Sequence, residues 1–215
     1  MNPSHYPPAV YTLLYADETG EIIGLDEVQL LEPVPAGRIP PLVGLLTSAD
    51  QYLAYQSGLI LAAWGVKEGV TYLRQLVETR VDKTAVLEPH RLWGEDNVYD
   101  VIAEALSMAW RYSEYDKAEV AAILAQILTL YGECYFESKL KQVLLTSDLM
   151  ELVPAVKQAL QLALAHQRYY QASQLLPVLA KYDKAYALLL VAQFEQLLGQ
   201  DKRIQYNLEE ARSYL

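Results

Sequence analysis

From Pro41 to the end of the chain the apolar residues fall into the 3.6-residue rhythm of an α-helix, and that rhythm limits the fold more than any other feature. Val66, Val70, Leu73 and Val77 follow at i, i+4, i+7 and i+11, with Lys67, Glu68, Arg74, Gln75 and Glu78 on the other side. Such a segment is a helix with one face for a core and one for water. Before it, Ser48 or Asp50 can cap a helix that runs to Trp64 and stops at Gly65. After it, Val98, Ile102, Leu106 and Ala109 mark a further helix, and Val120, Leu124, Ile127 and Tyr131 another, closed by Gly132. A shorter segment covers 135–146. Asp148 and Glu151 have the spacing of a capping box ahead of Leu149, Leu152, Val156, Leu160 and Ala163. Residues 170–181, 183–198 and 201–214 complete the series. The connections are short, and short connections place successive helices antiparallel. The expected fold is all-α, with stacked antiparallel helical hairpins in a solenoid or a compact array, and 39–215 is expected to fold as one unit. Starts near 149 and 183 lie about 34 residues apart, a repeat-like spacing.

Residues 1–38 read differently. Ala9–Tyr15 and Glu21–Leu25 are short, rich in Val, Ile, Leu and Tyr, and separated by Asp17-Glu18-Thr19-Gly20. The pattern predicts a β-hairpin or an irregular arm packed on the body. Pro33, Pro35, Pro40 and Pro41 punctuate the passage into the helical part.

The stretch IPPLVGLLTSADQYLAYQSGLILAAWGVKEGVTYLRQLV, from Ile39 to Val77, resembles a HEAT or armadillo-type repeat. Pro41, Leu42 and Leu46 stand where such repeats have their short first helix, Asp50 at the turn, Ala62 and Ala63 at the end of the second helix, and Gly65 before the next repeat. LMELVPAVKQALQLAL and ASQLLPVLAKYD look like later first helices carrying a Pro. The spacing also suits tetratricopeptide repeats, whose small and aromatic signature positions are not filled. The HEAT resemblance implies a protein-binding role, by analogy of fold.

Charge and aromatic content bear on function. The net charge is -10, and the acids are concentrated in two segments. Residues 1–37 hold six acids and no Lys or Arg, and residues 91–137 hold nine acids against Arg91, Arg111 and Lys117. Residues 138–215 are slightly basic, with nine bases and seven acids. Such a surface repels nucleic acid and anionic lipid and attracts basic proteins. The chain has 17 Tyr and 2 Phe, so most of its aromatic rings carry a hydroxyl that needs water or a partner, as at an interface.

Motifs for chemistry are missing. His5, His90 and His166 have no His or Cys at metal-ligand spacing, and the glycines fall singly, without a phosphate-binding loop. The single Cys134 reads as a small buried hydrophobe in a reducing, cytoplasmic setting. The N-terminus lacks the basic region of a signal peptide, and no apolar stretch approaches the roughly 20 residues of a membrane span.

The expectation is a non-catalytic protein-binding module without metal or cofactor, whose acidic, Tyr-rich surface neutralises a basic protein. The class it resembles is that of immunity proteins that block nuclease-type toxins, since nucleases are usually basic. An intracellular helical-repeat adaptor or scaffold is the alternative, and a HEAT-like enzyme or cofactor-attachment protein a third. The expected partner-binding residues are Trp93, Glu95, Asp96, Tyr99, Asp100, Glu104, Tyr112, Glu114, Tyr115, Asp116 and Glu119, with the acids from Asp17 to Glu32 next in line.

Overall fold

The computed structural model of the chain describes residues 6–89, 94–110 and 116–215. Among them the secondary structure is helical, without strands, and only two isolated β-bridges occur. The chain gathers into two compact units, Met1–Leu87 with Ala105–Val120, and Glu88–Glu104 with Ala121–Leu215.

In the first unit the expected hairpin or irregular arm is replaced by two helices, α1 (Pro8–Tyr15) and α2 (Leu25–Gln29). Pro8 sits in the first turn of α1, where its fixed φ and missing N–H suit a helix start. That preference outweighs the strand-like content of Val10, Tyr11 and Leu13. The Asp17–Gly20 turn survives, closed by a single bridge between Ala16 and Ile22. Leu14, Tyr15 and Val28 are buried in one cluster with Leu42, Leu53, Ile60, Leu61 and Trp64. Two hydrogen bonds tie the same elements: Trp64 Nε1 donates to Val28 O at 3.1 Å, and Gln56 Nε2 donates to Tyr15 Oη at 2.6 Å.

Helices α3 (Ile39–Leu45), α4 (Gln51–Ala63) and α5 (Lys67–Glu78) follow. Asp50 caps α4 by accepting from the backbone N–H of Tyr52 and Leu53, and Gly65 leaves it with φ 70°. From Leu53 to Ala63 every residue of α4 is buried, as a helix apolar on all sides requires. Helix α5 buries Gly69, Val70, Leu73 and Val77, the phase its sequence predicts, while Val66 is its half-buried N-cap. Gly69 lets α5 lie against α4: a Cβ there would come within 2.5 Å of the backbone nitrogen of Ala62 and of the Leu61 Cβ.

Helix α6 (Val98–Ala109) and helix α7 (Lys117–Thr129) each carry residues of both units. The second unit continues with α8 (Lys139–Thr146), α9 (Val153–Ala165), α10 (Tyr169–Gln174), α11 (Leu176–Tyr182), α12 (Lys184–Leu197) and α13 (Ile204–Tyr214). Two expectations are corrected here, and proline explains both. Asp148 takes a left-handed φ of 50° instead of capping a helix, and a 3-10 turn, Met150–Leu152, precedes α9, whose first turn holds Pro154. The single helix expected over 170–181 is divided at Leu175, which puts Pro177 in the first turn of α11. Helix α11 is the centre of the unit, packed by α8, α9, α10, α12 and α13. The core is not wholly apolar. Lys141, 4 % exposed, donates to Glu210 at 2.7 Å and to Asn207 Oδ1 at 3.3 Å, and Asn207 Nδ2 donates to Ser173 Oγ at 2.8 Å. No described helix is long and apolar enough to cross a membrane.

Candidate functional site

The two acid-rich segments meet different fates. Of the residues expected to bind a partner, Trp93, Tyr112, Glu114 and Tyr115 lie outside the described residues. Those described are mostly occupied within the fold. Asp100 is fully buried. Its Oδ2 accepts from the backbone N–H of Glu137 at 3.1 Å, Ser138 at 3.0 Å and Lys139 at 2.9 Å, and its Oδ1 from Leu140 at 2.7 Å. It therefore caps α8 from another helix, at an end where the Ser138 side chain makes no cap bond. Burial pushes its carboxyl pKa up, and the four backbone N–H groups pull the other way. Tyr99 is 1 % exposed and belongs to the core. Neither side chain is available to a docking protein, which corrects their assignment as contact residues.

The remaining acids of this segment are also engaged. Glu95 pairs with Arg168 at 3.0 Å, Glu104 with Lys139, and Glu119 with Arg74. Asp96 Oδ1 accepts from the N–H of Glu88 and of Val98, both at 3.0 Å, locking the turn into α6. Asp116 stands at the start of α7, where it accepts from the Ala118 N–H at 2.8 Å, and not at the end of the preceding helix. Its charge is stabilised there by the helix N-terminus.

Glu95 and its arginine lead into a polar cleft of about 380 Å³ in the second unit, whose lining includes Tyr135, Tyr169, Tyr170, Asp201 and Arg203. Arg203 lies over the Tyr170 ring at 4.5 Å and pairs with Asp201 at 2.6 Å. This pairing holds the Asp201 carboxyl below its ordinary pKa, and burial raises that of Tyr135. Each guanidinium of the cleft already faces a carboxylate, so the cleft offers no unmatched positive charge for an anion. Among the described residues no three His, Cys, Asp or Glu side chains come together as metal ligands. Cys134 is buried, and His166 is the exposed C-cap of α9.

The N-terminal acids are arranged otherwise. Asp17 locks its own turn, accepting from the Thr19 hydroxyl at 2.8 Å and from the N–H of Thr19 at 2.8 Å and of Glu21 at 2.9 Å, and these bonds, the hydroxyl's above all, lower its pKa. Glu18, Glu21, Asp26, Glu27 and Glu32 are exposed and make no ion pair with any described residue. Arg38, the nearest base in sequence, donates to the carbonyls of Ala16 and Asp17. Ile22 and Leu30, 53 % and 47 % exposed, lie among these carboxylates along the chain. Ten of the described tyrosines are half-buried, the boundary position their abundance predicts, while Tyr15, Tyr55, Tyr99 and Tyr131 belong to the core. The sequence names the N-terminal acids only as a second choice, because net charge alone does not tell which carboxylates have partners. Comparison with known protein families, with curated proteins and with solved structures finds no match for this chain.

Proposed function

We propose that the protein is a non-catalytic protein-binding module that recognises a basic protein through the acidic surface of its N-terminal segment. One observation carries this reading: Glu18, Glu21, Asp26, Glu27 and Glu32 face solvent without an ion-pair partner among the described residues, whereas Glu95, Glu104 and Glu119 are paired. Unpaired exposed carboxylates raise the local potential and speed encounter with a cationic surface. Ile22 and Leu30 supply apolar contact beside them. A nuclease-type toxin is the partner class whose phosphate-binding surface fits, and blocking it would be the action of an immunity protein. The HEAT-like look of residues 39–77 points to protein binding by analogy only.

The test is affinity capture from the native host with the wild-type protein and with the variant Glu21→Lys/Asp26→Lys/Glu27→Lys. A basic protein retained by the wild type, released by salt and lost by the variant is the expected result. Equal retention by both proteins, or a retained protein that is acidic, would overturn the proposal. Assay of the captured protein for nuclease activity, with and without this chain, separates toxin neutralisation from an adaptor role.

A further inference from the structure

The polar cleft of the second unit is built from connections that meet around it. The turn into α6 gives Glu95, the chain between α7 and α8 gives Tyr135, that between α9 and α10 gives Gln167 and Arg168, and that between α12 and α13 gives Asp201 and Arg203. Loops positioned by a rigid helical frame are where binding residues concentrate. These loops are fixed before any ligand arrives. Gln171, 5 % exposed, donates to the carbonyls of Tyr131 and Cys134 and accepts from the N–H of Phe136, so it holds the chain on both sides of Tyr135. Arg168 ties Glu95 to the carbonyl of Glu133. Arg203 is gripped by both carboxylate oxygens of Asp201 and lies over the Tyr170 ring. Such preorganisation lowers the cost of ordering side chains on binding.

The chemistry of the lining selects the ligand. An ion gains little, because each guanidinium faces a carboxylate and each of these carboxylates a guanidinium. An apolar ligand would strip water from two ion pairs and leave their remaining hydrogen-bonding groups unmatched. A neutral molecule rich in hydroxyls suits both demands. Arg168 spends one N–H on Glu95 and one on Glu133, and Glu95 accepts through Oε2 alone, which leaves part of the guanidinium fork and a carboxylate oxygen for a ligand. The Tyr169 and Tyr170 hydroxyls and the Gln167 and Gln200 side-chain amides bond to no described residue. Each sugar hydroxyl both donates and accepts, so adjacent hydroxyls match a guanidinium and a carboxylate lying side by side. The C–H face of a pyranose ring is apolar and packs on tyrosine, of which the cleft has three, Tyr135, Tyr169 and Tyr170. The volume, about 380 Å³, lies near the lower end of the roughly 300–1,000 Å³ of small-ligand sites.

We infer that this cleft binds a neutral mono- or disaccharide, its hydroxyls held by Glu95, Arg168 and Asp201 and a ring face packed on tyrosine. The inference is independent of the proposed function, since the cleft belongs to the second unit and the N-terminal acids to the first.

The test is titration of the isotope-labelled full chain with glucose, galactose, mannose, N-acetylglucosamine, maltose, lactose and chitobiose, each to about 50 mM so that millimolar affinity registers, followed in heteronuclear NMR spectra. At least one sugar is expected to give saturable shift changes centred on Tyr135, Tyr169, Tyr170 and Arg203 that persist at high salt. Tyr170→Ala should weaken binding by about tenfold or more with an unchanged circular dichroism spectrum. Gln167 holds a left-handed φ of 59°, a conformation that favours glycine. Gln167→Gly should therefore keep or raise the urea midpoint while weakening binding by about threefold or more, a division that a purely structural side chain would not show. If Tyr170→Ala fails to fold, Gln167→Gly alone decides. No saturable change with any of these sugars, changes centred elsewhere, an affinity indifferent to the folded variants, or saturation of the same residues by phosphate or lysine and by no sugar would overturn the inference.

Discussion

Asp100 and Asp26 are both carboxylates in acid-rich stretches, yet one is fully buried against four backbone N–H groups and the other stands in water on the first turn of α2. The contrast extends to their surroundings. In the segment from Glu95 to Glu119 the described acids neutralise Arg168, Lys139 and Arg74, or cap turns and helices. From Glu18 to Glu32 they have no such partners among the described residues. A cluster of acids in a sequence is therefore a poor guide to a binding surface. What decides is whether the fold supplies donors of its own, since a carboxylate already engaged has less attraction to give a partner.

The largest effect separating the two regions is expected at Asp100. Asp100→Ala leaves the N-terminus of α8 without its acceptor in a buried place and should destabilise the protein by about 3 kcal/mol, read from urea unfolding. Asp26→Lys should change stability by under about 0.5 kcal/mol in the same measurement. Equal losses would erase the distinction between the two regions. As a reference for core packing, Leu73→Ala should cost about 2–5 kcal/mol and Gln75→Ala under about 0.5 kcal/mol, Leu73 being fully buried and Gln75 exposed.

A smaller effect is expected at Glu119. Its pair with Arg74 is about one-third exposed on both sides, so Glu119→Gln should cost at most about 1 kcal/mol, and less at high salt. The same loss in Glu119→Gln/Arg74→Ala as in Arg74→Ala alone would show the pair acting as a unit.

The smallest effect is a pH dependence. Asp17 and Asp201 titrate below the ordinary carboxylate value, held by the Thr19 hydroxyl and by Arg203 respectively. A carboxyl whose folded pKa is depressed adds stability that is complete above its unfolded value of about 3.9. That stability is lost as pH falls through the folded pKa. Asp201→Asn should therefore lower the urea midpoint near neutral pH and flatten its fall below about pH 4. A parallel shift at every pH would show that the carboxyl does not titrate as described.

The helical body was legible because its signals are local. The phase of α5, the Asp50 cap and the Gly65 stop each depend on residues within a turn or two. The N-terminal helices were missed because Val, Tyr and Leu at 10–15 suit a strand or a helix, and the decision falls to Pro8 and to burial of Leu14 and Tyr15 beneath α4. The role of Asp100 could not be read at all, since the N–H groups it serves lie 37–40 residues away in sequence.

The most direct measurement is a titration of isotope-labelled protein with a short oligolysine peptide, followed residue by residue in heteronuclear NMR spectra. The peptide is a generic cation and reports where unpaired negative potential lies. The result expected is salt-sensitive shift changes concentrated at Glu18, Glu21, Asp26, Glu27 and Glu32, with little change at Glu95, Glu104 and Glu119. Shifts centred on Glu95–Glu119, or spread evenly over both segments, would contradict the assignment of the N-terminal acids as the docking surface.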